Sequence, residues 1–146
     1  MRRSSAPVTD LSKFCNNLEK LFSNLEKAFP QDSDLSYYKD KIMSARKINP
    51  RLIVEQFMLM AEDFIDQIMQ KNADFFLDDL EVENLVDNSY FDLTNKIKTL
   101  WINMSDSSKE MIWRYFQIFI TLGVKITKRH DLLPKLNQYR DVPLTI

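Results

Sequence analysis

Residues 109–126 read KEMIWRYFQIFITLGVKI, and the placement of this stretch decides the fold. A membrane span, an exposed binding surface and the central helix of a core would each use such a run of large apolar and aromatic side chains. On a helical wheel of about 100° per residue, Glu110, Arg114, Gln117, Thr121, Lys125 and Lys128 fall on one narrow strip. Ile112, Trp113, Tyr115, Phe116, Ile118, Phe119, Ile120, Leu122, Val124 and Ile126 cover nearly all the rest. A helix apolar on most sides is surrounded on most sides. Arg114 and Lys125 oppose a span, and Met111 to Val124 falls short of the ~20 apolar residues a bilayer requires. Gly123, the only glycine, lies in the apolar arc, where it allows close approach of another helix at about 1 kcal/mol in propensity. The spacing predicts a central helix over 109–128 with the other helices packed around it.

The rest of the chain agrees with that frame. Its 146 residues suit one domain, and 45% hydrophobic with 12% aromatic content suffices for a core without staples. One glycine and five prolines are too few for a β-rich chain with its glycine-bearing turns. Leu11, Phe14, Leu18, Leu21, Leu25 and Ala28 form a stripe at steps of three and four, thickened by Phe22 and Phe29. Thr9 or Asp10 caps this first helix and Pro30 stops it. A second helix follows a cap at Asp32, Ser33 or Asp34, with Leu35, Tyr38, Ile42 and Ala45 on one face, and ends by Ile48. Asn49-Pro50 opens a third, expected to run to about Asn72. Ile53, Phe57, Met60, Phe64 and Ile68 mark its buried side, widened by Leu52, Leu59, Ala61 and Ile65. A fourth helix is expected over 90–103, with Leu93, Ile97, Leu100 and Trp101 facing in. Ser107 followed by Glu110 reads as a capping box for the central helix. The expected layout is an all-α bundle of five or six helices over 9–130, a flexible tail over 1–8, and a segment over 131–146. That last segment either straps across the bundle or reaches into a neighbour.

Charge is uneven along the chain. The formal net charge is −1, yet residues 61–100 hold ten acids against three bases, and 101–146 hold seven bases against four acids. Solvated helix faces account for such runs. The sharper alternative is that the acidic 74–92 stretch docks a basic partner. One cysteine, Cys15, rules out an intrachain disulfide and fits a reducing compartment. MRRSSAPVTD has no apolar run behind its arginines and is not a secretory signal.

The residues of chemistry are sparse. His130 follows Lys128-Arg129, where a cation suits a helix C-terminus, and no second histidine or placed nucleophile accompanies it. Cys15 lies beside the first apolar stripe and reads as an inert thiol. The carboxylates at 74–87 run D-x-x-x-D-D-x-E-x-E, without the glycine and spacing of a calcium loop. With a single glycine, a backbone cradle for phosphate is close to excluded. No catalytic residue, cofactor or metal site is therefore expected. FMLMAEDFIDQIM at 57–69 could serve as an adaptable contact surface, but its helical spacing favours core. Two basic clusters offer a nucleic-acid surface: Lys39, Lys41, Arg46, Lys47 and Arg51, with Tyr37 and Tyr38 nearby, and Lys125, Lys128, Arg129 and Lys135. The pI near 5.8 opposes a dedicated nucleic-acid binder.

The order of several motifs resembles a group of short helical proteins encoded by large nucleocytoplasmic DNA viruses of algae and amoebae. The matching features are Phe29-Pro30, Asn49-Pro50, the pair Phe75-Phe76, Trp101, and Ile112-Trp113-Arg114-Tyr115-Phe116-Gln117. They span about residues 11–125 and leave the end of the chain uncovered. No activity is established for that group, so no catalytic residue carries over. The resemblance implies a viral protein of the host cytoplasm or virus factory, either packaged in the virion or acting in its assembly.

The function expected from these features is a non-enzymatic protein-interaction module. Its candidate contacts are Phe75, Phe76, Leu77, Asp78 and Asp79 in the acidic segment, and Leu136, Tyr139, Val142 and Leu144 near the end. The alternative is a nucleic-acid-associated or transcription-related factor using the basic clusters. A helical-bundle regulator of host cell death is a weaker one, since the chain lacks the N-W-G-R signature such proteins carry.

Overall fold

The computed structural model of the protein describes residues 9–74 and 96–139, and within them every regular element is helical. Helix α1 spans Asp10–Ala28, α2 Ser33–Ile48 and α3 Pro50–Ala61. A 3-10 turn at Glu62–Phe64 leads into α4, Ile65–Met69. Residues 96–101 are helical, and α5 spans Asp106–Thr127. A second 3-10 turn, His130–Leu132, precedes α6, Leu133–Asn137. The fold is an all-α bundle built around α5.

The ends of these helices follow from local chemistry. Thr9 Oγ1 accepts from Ser12 N, Asp32 Oδ1 from Asp34 N, and Asn49 Oδ1 from Leu52 N, with Pro50 in the first turn. Ser105, not Ser107, caps α5: its Oγ accepts from Ser108 N at 3.1 Å. Ser105 has the extended backbone that an N-cap requires, whereas Ser107 already lies inside the helix. At the far end Lys128 adopts the left-handed conformation, Arg129 N bonds Val124 O, and Lys128 N bonds Lys125 O. This is a Schellman closure with lysine where glycine is usual. Helix α4 closes the same way at Lys71, with Asn72 N on Gln67 O and Lys71 N on Ile68 O.

Helix α5 is surrounded as its composition predicts. Ile112, Phe116, Phe119 and Ile120 are fully buried, and Trp113, Tyr115 and Val124 nearly so. Helices α1 and α3 lie along it, with α2 against both, and α4 covers its first half. Four phenylalanines join three helices at the centre. Phe14 of α1 meets Phe57 of α3 edge-on at 5.6 Å and Phe119 of α5 at 4.9 Å, while Phe57 also meets Phe116 at 6.0 Å and Phe119 at 5.7 Å. Trp101 packs edge-on to Trp113 at 5.5 Å, which fastens the 96–101 segment to α5.

Three expectations are corrected. The single helix foreseen from Pro50 to about Asn72 is broken by the Glu62–Phe64 turn. Beyond that turn Ile65, Ile68 and Met69 are buried and Phe64 is only half-buried. Leu52 and Leu59 do not widen the buried face: both are exposed, lying about 140–160° around the helix from Phe57. Gln117, placed on the outward strip, is 1% exposed. The end of α4 covers it, and its amide donates to Ile68 O and Met69 O, both at 3.3 Å. Both are last-turn carbonyls of α4; Ile68 O already accepts from Lys71 N, and the buried amide adds a second donor there and reaches Met69 O. Gln117 Oε1 accepts no hydrogen bond among the described residues.

Candidate interaction surface

Between α2 and α3 the surface opens into an apolar cleft of about 170 Å³, lined by Ile42, Ala45, Ile48, Leu52 and Ile53 with Asn49 and Gln56. It exists because α2 buries little: within its span only Leu35 and Ile42 are fully covered, and Ala45, expected inside, stands exposed at the cleft. Ile48 is 85% exposed, Leu52 45% and Leu59 57%. Leu52 and Leu59 are seven residues apart and so share one stripe on the outer face of α3. This ledge was not foreseen. Its signal lies in the wheel of residues 50–61, where both leucines fall opposite Phe57.

Basic residues surround this region, and most are already engaged. Lys39 Nζ lies 3.1 Å from Glu26 Oε1 and Arg46 Nη1 3.7 Å from Glu19 Oε2, both pairs joining α2 to α1. Bonds from Ser36 and Lys39 hold the Glu26 carboxyl below its usual range. Arg51 pairs with Glu55 one turn on, at 3.4 Å. In the second cluster Arg129 binds Asp131 and Glu62, which keeps its guanidinium firmly charged and pulls the Asp131 carboxyl down. Lys135 Nζ lies 3.6 Å from Asp66 Oδ2. Lys41 also has an interaction partner. Lys47, Lys125 and Lys128 are exposed without an ion pair among the described residues. The structure thus does not assemble the two sequence clusters into a continuous positive face.

Of the expected protein-contact residues, Phe75, Phe76, Leu77, Asp78, Asp79, Val142 and Leu144 lie outside the described residues. Leu136 and Tyr139 are described, and both are turned onto the bundle. Leu136 packs half-buried against the core, and Tyr139 Oη donates to Asp66 Oδ1 at 2.7 Å while accepting from Gln70 Nε2 at 3.0 Å. The bond to Asp66, then burial, raises the Tyr139 phenol above its ordinary value. Helix α6 and Tyr139 therefore pack against α4, while the 3-10 turn before them contacts α5.

Lys96 Nζ sits 2.6 Å from Asp32 Oδ2 and 3.1 Å from Asp34 Oδ2, beside an open cleft at the α1–α2 turn, and the bond to Asp32 raises its pKa most. Tyr115 Oη accepts from Asn24 Nδ2 at 3.0 Å beneath a polar groove along α1, and burial raises the phenol. Burial likewise pushes the Cys15 thiol up, away from the thiolate a nucleophile requires. His130 is exposed at the start of the second 3-10 turn. Among the described residues no three histidine, cysteine or carboxylate side chains cluster as a metal site, and no helix is long and apolar enough to cross a membrane. Compared with family models, curated proteins and solved structures, the chain matches none.

Proposed function

We propose that this protein is a non-enzymatic protein-interaction module. The observation that carries the proposal is the apolar ledge of Ile48, Leu52 and Leu59 beside an open apolar cleft. Large aliphatic side chains grouped on one exposed face mark contact sites more often than chance surface leucines do. The charge arrangement adds support: Lys39, Arg46, Arg51, Arg129 and Lys135 are neutralised by acids of the same chain, which weakens the field that nucleic-acid binding requires. The resemblance of its motif order to short proteins of large DNA viruses supports a setting in virus assembly, as an adaptor or minor virion component. In that setting Phe75–Asp79 and the last residues would extend the contact.

A tagged pull-down from expressing cells, split with and without nuclease and read by mass spectrometry, tests this. One stoichiometric protein that survives nuclease and 300 mM salt is the expected result. Partners that all vanish with nuclease would overturn the proposal in favour of the basic clusters.

A further inference from the structure

We propose that the polar groove along α1 binds the phosphate group of a small phosphate monoester, between Lys20, Lys27 and the hydroxyl of Tyr115. The groove holds about 530 Å³ and shares no residue with the α2–α3 cleft. Tyr115 is 2% exposed and reaches the groove beside Asn24. Its Oη accepts from Asn24 Nδ2 at 3.0 Å and donates to nothing among the described residues. Burial raises the phenol above its ordinary value, so the proton stays on at neutral pH and the hydroxyl stays a donor. Buried donors in folded proteins are matched by an acceptor, and an anionic oxygen in the groove supplies one.

Charge selects the ligand. Lys20 and Lys27 line the groove, are exposed, and have no ion pair among the described residues. Along the axis of α1 they lie about 6 Å before and about 4.5 Å after Asn24, and all three fall within about 60° of arc. Both ammonium groups therefore reach an anion seated at Asn24 and Tyr115. Glu19, the one acid of the groove, lies about 140° around the helix from Asn24. Arg46 Nη1 holds it toward α2 at 3.7 Å, which offsets its repulsion. Two unpaired lysines match the double charge of a phosphate monoester, whereas a carboxylate carries one charge and two oxygens. Ser23 Oγ accepts from Lys39 Nζ at 3.4 Å and Asn16 Oδ1 from Arg46 Nη2 at 2.8 Å. Their own donors, the Ser23 hydroxyl and the Asn16 amide, are left for hydroxyl groups on the body of the ligand.

The full chain, isotope-labelled for amide NMR, would be titrated with glycerol phosphate, glycerate and glycerol at one constant ionic strength. Glycerol phosphate is expected to shift the amides around Lys20, Asn24 and Lys27 saturably. Glycerate should bind about tenfold more weakly and glycerol not at all. Lys20→Gln with Lys27→Gln, both at exposed positions, should weaken glycerol phosphate about tenfold while circular dichroism stays unchanged. Tyr115→Phe keeps the buried ring and removes only the donor, and should weaken it severalfold. No saturable shift with glycerol phosphate overturns the proposal, as does glycerate binding equally well. Binding unmoved by the lysine pair or by Tyr115→Phe, with the fold intact, overturns it too. The pull-down above reads a different face, so either result leaves the interaction module to its own test.

Discussion

Gly123 shows how one residue sets the approach of two helices. A Cβ built there would stand 2.5 Å from Met58 Sδ and 3.1 Å from Cγ, well inside contact distance. Met58 is buried, so it cannot swing into solvent. Gly123→Ala gains about 1 kcal/mol of helix propensity but forces overpacking that costs about 1–3 kcal/mol. The variant is therefore expected to lose about 1 kcal/mol, read as a lower midpoint in urea. In a Met58→Ala background, where the space is already open, the same alanine should stabilise. A Gly123→Ala protein as stable as the parent in both backgrounds would show that Met58 does not fill that space. Gln117, polar enough to be placed outside, is inside because the end of α4 covers it and offers two carbonyls to its amide.

At the scale of elements, the two Schellman closures make a controlled pair. Both Lys71 and Lys128 hold φ near +57°, a conformation that strains a residue with a Cβ. Lys128 has no ion pair among the described residues, so Lys128→Gly is expected to raise stability by about 0.5–1 kcal/mol. Lys71 also contacts Glu110 of α5, so Lys71→Gly gives up that contact and should gain less. Thermal melts of the two variants decide the order. Ser105→Ala removes the cap of α5 and should cost about 1 kcal/mol, whereas Ser107→Ala should be near neutral.

For the whole molecule, several groups titrate in the same direction. The folded protein raises the pKa of Cys15 and Tyr115 by burial, of Tyr139 chiefly through Asp66, and of Lys96 chiefly through Asp32. Each holds its proton longer when folded than when unfolded. Their stabilisation is complete below the unfolded values, about 8.5 for cysteine and about 10 for tyrosine and lysine, and is lost as pH rises through the folded ones. The urea midpoint is expected to fall steadily above about pH 8.5 on that basis, with the first part of the fall removed in Cys15→Ala. A midpoint that stays flat from pH 8 to 10 would contradict this.

The sequence by itself determined that the chain is helical and that α5 is its centre, because a helix apolar over most of its circumference must be surrounded on most sides. It also determined the start at Asn49 and narrowed the other two to Thr9 or Asp10 and to Asp32, Ser33 or Asp34, of which Thr9 and Asp32 form the caps, since N-capping depends on one side chain and the next turn. At residues 105–108 the spacing of Ser107 and Glu110 pointed to the wrong serine, because Ser105 is the residue with the extended backbone of a cap. Only the tertiary structure decided which faces stay open. Leu52 and Leu59 are exposed and Gln117 is buried because burial depends on what packs opposite, and periodicity within one helix does not report that. Tertiary structure also brings Glu19, Glu26, Glu62 and Asp66 from distant positions onto Arg46, Lys39, Arg129 and Lys135. Charge along a chain counts ions, whereas a binding surface depends on which of them the fold leaves unpaired.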